Sequence, residues 1–97
     1  MKDSGEFLTL GTVVLLKGAT KKLMITGYCA YDKENEGKMY TYSGCLYPEG
    51  IISSNEMALF NHNQIEKVFF NGYTDEEDKE FKAKLVEILK QIQTNQN

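Results

Sequence analysis

Up to Tyr73 the apolar residues of this chain come in short runs cut by glycine or polar turns. From Thr74 onward they recur every three to four residues. That change of period constrains the fold more than any other feature, because runs of strands followed by one helix imply an α+β domain. Gly11 opens "TVVLLKG", a β-branched and leucine run ended by Gly18 that reads as a buried strand. After the turn "ATKK", Leu23–Tyr31 forms a second strand with Gly27 inside it, where an interior glycine marks a bulge or bend. The acidic loop Asp32–Lys38 closes a hairpin onto a third strand, "MYTYSGCLY". A short fourth strand is expected near Met57–Phe60, and Ile65–Tyr73 holds a fifth. Both faces of the fifth are apolar, which places it centrally or under cover.

In the last segment, Thr74 with Glu77 three residues on fits a capping box, and four acids in the first turn suit the positive end of a helix dipole. Phe81, Leu85, Ile88, Leu89 and Ile92 make one apolar stripe, so the helix runs from about Asp75 to about Gln93. The expected architecture is a small curled antiparallel sheet or half-barrel of about five strands, followed by one C-terminal amphipathic helix. It is one domain: residues 1–9 a loose N-terminal arm, 11–73 the β-rich sheet, 74–93 the helix.

Composition excludes several activities. The net charge is −3 and all eleven basic residues are lysine. Without arginine there is no planar fork to grip phosphate or guanine, so a nucleic-acid reader is not expected. No apolar run reaches the roughly 18–20 residues that span a bilayer, and the N-terminus lacks the pattern of a secretory signal. A cytoplasmic protein without membrane insertion is expected. Cys29 and Cys45 have no C-x-x-C spacing and read as free thiols.

The segment "GCLYPEG" (Gly44–Gly50) poses the main chemical question. A Cys45–His62 pair would make a thiol nucleophile only if the imidazole drew the thiol toward thiolate. The bland reading is a turn at Pro48-Glu49-Gly50 with Cys45 as a small buried apolar residue. Metal binding is not expected, since one histidine and two distant cysteines do not give closely spaced ligands. "DKENEG" lacks the full pattern of a calcium loop, and no phosphate-binding loop is present. No cofactor is expected. The acidic "TDEEDKE" reads first as helix capping, with a basic partner as the alternative.

Six tyrosines are the most suggestive surface feature, because tyrosine adds rigid apolar area with a polar tip. Two or three should be exposed. The candidate protein-binding surface is Tyr40, Tyr42, Tyr47 and Glu49, with the helix as a second face. The helix stripe demands a partner only if it exceeds what the sheet can cover.

The order of "LGTVVLLKGATKKLMITG" (Leu10–Gly27), "YSGCLYPEG" (Tyr42–Gly50) and "FNHNQIEKVFFNGYTDEEDKEF" (Phe60–Phe81) resembles a small family of domains of unknown function (DUF4176-like). Members are encoded beside type VII (Esx) secretion genes and LXG-type toxins of Gram-positive bacteria. The resemblance implies no enzymatic activity. It implies an accessory role such as a chaperone or targeting adaptor, with an LXG-type toxin or another secretion component as partner. An immunity protein against a neighbouring toxin is the alternative, and a thiol enzyme using Cys45 and His62 a third. An exposed edge strand would also allow a homodimer.

Overall fold

The computed structural model describes residues 7–32, 37–53 and 57–95, with side chains up to Gln91. Five strands precede one helix: β1 (Val13–Leu16), β2 (Leu23–Asp32), β3 (Lys38–Leu46), β4 (Ala58–Phe60), β5 (Ile65–Phe70) and α1 (Glu76–Asn95). The strands form one antiparallel sheet in the order β4-β3-β2-β1-β5. This is the expected α+β architecture.

The sheet must curl. In a flat five-stranded sheet the outer strands lie about 19 Å apart, four steps of about 4.8 Å. Yet β4 and β5, the two outer strands, are joined only by Asn61 and a 3-10 turn, His62–Gln64. Such a link spans roughly 14 Å at most. Curvature brings the edges together at this end, and the Lys17 N–H seals the join by donating to the Gln64 carbonyl at 2.8 Å. Phe60, fully buried, and Ile65, half-buried, then reach the same core.

One face of the curled sheet is the core. Val14, Leu23, Ile25, Tyr42 and Phe60 lie there, joined by Leu85 of α1. The expected bulge in β2 is present: Ile25 pairs with Gly44 and Gly27 with Ser43, so Thr26 is the extra residue. It resets the alternation, and Tyr28 continues the inward row of Leu23 and Ile25. Gly44 has no room for a side chain, since a Cβ there would lie 2.9 Å from the Met24 carbonyl oxygen and 3.0 Å from the Phe60 ring.

Three expectations need correction. Phe7, placed in a loose arm, is buried and packs edge-on against Tyr28 and Tyr42. Its ring fills the mouth of the core that α1 leaves open; residues 1–6 lie outside the described residues. The fifth strand is an edge strand rather than a central one, and its residues from Glu66 to Phe70 are exposed. Its apolar residues on both faces come from two bulges, at Glu66 and Phe69, which break the alternation. The helix is capped by Asp75, whose Oδ1 accepts the Asp78 N–H at 2.9 Å, rather than by Thr74. The Thr74 hydroxyl instead donates to Asp78 Oδ2 at 2.7 Å.

Asp78 fastens the helix to the segment before β1. Lys82 Nζ lies 2.9 Å from Asp78 Oδ2 and donates to Thr9 Oγ1 at 2.6 Å. Burial pushes the Asp78 carboxyl up, but hydrogen bonds from Thr74 and Lys82, with the lysine charge, hold it below its ordinary value. Beside this staple, Gly72 donates its N–H to the buried Thr12 hydroxyl, and a Cβ there would overlap the Leu10 carbonyl oxygen.

Candidate protein-binding surface

The four residues singled out by sequence do not form one surface. Tyr40 and Tyr42 share the inner face of β3, whereas Tyr47 and Glu49 leave on the outer side. Tyr42 is 0% exposed and is removed from the candidate surface. Its hydroxyl accepts the Leu8 N–H at 2.9 Å and lies 2.8 Å from His62 Nδ1. One buried oxygen thus ties the segment before β1 to the turn between β4 and β5. Tyr40 is half-buried, with Lys38 Nζ 5.5 Å from its ring. Three tyrosines are exposed: Tyr31, Tyr47 and Tyr73.

On the outer side the sheet builds a different arrangement. Lys67 pairs with Leu15 across β5 and β1, while Lys22 precedes the β2 residue paired with Val14. The Tyr47 N–H donates to the Lys22 carbonyl at 3.0 Å. Lys67, Leu15, Lys22 and Tyr47 therefore form a row across four strands or their ends. Over it lies Phe69, with Lys67 Nζ 4.8 Å and Lys22 Nζ 5.1 Å from its ring centre. Lys22 also sits 5.9 Å from the Tyr47 ring. Each such contact at an exposed site contributes about 0.5–1 kcal/mol. The row is held flat and in place while Tyr47 and Phe69 each remain 43% exposed.

The turn carrying Tyr47 is one residue longer than a type II turn. The Gly50 N–H donates to the Leu46 carbonyl at 2.8 Å, Gly50 has φ near +80°, and the Tyr47–Pro48 peptide is cis. Glu49 faces out from it and pairs with Lys21 at 2.8 Å. That hydrogen bond from Lys21 is the main cause holding the Glu49 carboxyl below its usual value. Beyond the turn, Ile51 and Ile52 are exposed and extend the apolar area. Sequence reasoning missed Lys22 and Phe69. The odd spacing from Tyr42 to Tyr47, in a strand without a bulge, was the available signal that they point to opposite faces.

Cys45 and His62 are not joined. Cys45 is buried on the outer side, in a small pocket lined by Leu46, Ile51, Ile52 and Met57 among others. His62 turns its Nδ1 to Tyr42 on the inner side. Burial raises the Cys29 thiol above its ordinary range, which disfavours the thiolate there. Cys29 also has φ near +52°, a left-handed conformation rarely adopted by residues with a Cβ. Among the described residues no group of three or more His, Cys, Asp or Glu is placed to hold a metal ion. No described helix is long and apolar enough to cross a membrane.

Comparison with known proteins gives one result. Residues 7–81 match the sequence model of a family described as Domain of unknown function (DUF4176). No curated protein and no solved structure matches the chain.

Proposed function

With residues 7–81 of 97 matched, the chain belongs to the DUF4176 family, and from that premise we propose that it is a non-catalytic, protein-binding accessory protein. In this reading it works in the cytoplasm of a Gram-positive bacterium, as a chaperone or targeting adaptor for a type VII secretion effector. Its partner is an LXG-type toxin or another component of the same locus. The observation that carries the reading is the outer row, where Tyr47 and Phe69 stay exposed although lysine ammonium groups lie over their rings and paired neighbours flank them. Exposed aromatics held in place lose little freedom on binding, which is the property of interface anchors.

Contact is made through the side-chain face rather than by adding a strand. Both bulges of β5, and the lysine between them, are devices that blunt pairing at a sheet edge. The other edge, β4, is only three residues long. A homodimer formed by edge pairing is thus the weaker arrangement.

The test is capture by the tagged full-length chain from its native host. A secretion-locus protein should co-purify with wild type and be lost with Tyr47→Ser/Phe69→Ser, while the double variant still unfolds cooperatively well above the capture temperature. Failure to recover any such protein, or equal recovery from both forms, overturns the proposal. Rescue of cells expressing a neighbouring toxin would assign the chain as an immunity protein instead.

A further inference from the structure

On the other side of the molecule, an open cleft of about 980 Å³ runs between the first turns of α1 and the chain around Leu10. Its floor is apolar and exposed: Leu10 is 47%, Tyr73 79% and Phe81 50% open to solvent, with Tyr28 between them. The helix stripe exceeds what the sheet covers. Leu85 is buried and Leu89 packs on the core, but Phe81 and Ile88 are each half exposed.

The rim is acidic, and the structure divides its carboxylates into two kinds. Asp75 caps the helix, and Asp78 is committed to Thr74, Lys82 and Thr9. Glu77 and Glu80 line the same cleft, are exposed, and take no ion pair among the described residues. Neither takes part in the hydrogen-bonded cap, although Glu77 sits in the first turn, where the helix dipole also favours it. Among the described residues, Lys84 is the one cation lining the cleft.

The wall also restricts the backbone of an occupant. The Leu10 N–H donates to the Tyr28 hydroxyl at 3.1 Å, and the Gly11 N–H to the Ile25 carbonyl at 2.9 Å. The Thr12 N–H donates to the Thr9 carbonyl. Of these donors only Leu10 lines the cleft, and an extended peptide would find it already used, whereas a helix satisfies its own backbone.

We propose that this cleft holds a cationic amphipathic helix of a partner polypeptide. Its apolar side lies against Phe81, Tyr73 and Leu10, and its Lys or Arg residues meet Glu77 and Glu80. The inference rests on the protein-binding reading but uses a face separate from the Tyr47–Phe69 row, so the two fail independently.

The experiment titrates the full chain with a synthetic 18-residue helical peptide whose leucines and lysines occupy opposite faces. The control is a peptide of the same composition with the faces mixed. Fluorescence anisotropy should show the segregated peptide binding at least tenfold tighter, and less tightly as salt is added. Glu77→Gln/Glu80→Gln, both exposed and without structural bonds, should weaken it at least fivefold, and Phe81→Ser at least tenfold. Amide shifts should map to Leu10, Tyr73 and α1. Equal binding of the two peptides, no effect of the glutamine pair, or shifts centred on the Lys22–Phe69 row would overturn the inference. So would self-association of the free chain that Phe81→Ser abolishes, since the occupant would then be a second copy.

Discussion

The two faces of the sheet use the same residue types to opposite ends. On the inner face Tyr42 is sealed among Phe7, Tyr28 and Phe60, and its hydroxyl is committed to Leu8 and His62. On the outer face Tyr47 and Phe69 rest on lysine ammonium groups and remain open to solvent. Inner aromatics are held by packing and internal hydrogen bonds; outer ones have lysine ammonium groups over their rings yet stay partly open to solvent. The difference teaches that fixed position and burial are separable, and that a fixed but uncovered aromatic is the more informative of the two.

The contrast is sharpest at phenylalanine. Phe60→Ala should cost about 3–5 kcal/mol, as cavity formation in a core does, whereas Phe69→Ala should cost no more than about 1 kcal/mol. Urea unfolding of the two variants measures the gap, and equal losses would erase the distinction between the faces. A finer cut removes one oxygen at a time. Tyr42→Phe leaves the Leu8 N–H and His62 Nδ1 without their partner and should cost about 1–3 kcal/mol. Tyr47→Phe should stay within about 0.5 kcal/mol. A further test concerns the helix staple. Because the folded pKa of Asp78 lies below its unfolded value, its contribution is full above about pH 3.9 and fades as pH falls through the folded value. Asp78→Asn should therefore cost on the order of 1 kcal/mol at pH 7 and progressively less as pH falls through the folded value, measured by denaturation across the acid range.

Much of the fold was legible because it depends on local pattern. Gly27 announced the bulge, the glycine-bounded runs gave the strands, and the acids after Thr74 gave the helix start to within a residue. Partner choice between distant segments was not legible. The sequence around Phe7 reads as a loose arm because its packing on Tyr28 and Tyr42 joins segments far apart in the chain. The doublet Phe69-Phe70 looks like a buried strand, yet a bulge keeps both rings exposed. Of the candidate surface, the sequence places Tyr47 and Glu49 at an exposed turn, but it does not show that Tyr42 is buried on the other face or that Lys22 lies beside Tyr47, which takes the β1–β2–β3 register.

The acidic rim of the cleft and the lysines of the outer row lie on opposite sides of the sheet. A molecule of net charge −3 is therefore polar in the sense of a bar magnet, with ends of unlike sign. A charged partner approaching within a screening length of about 10 Å feels a torque before it makes contact. A basic segment would sense Glu77 and Glu80 on the helix side first, so charge would bias the choice of face ahead of any packing.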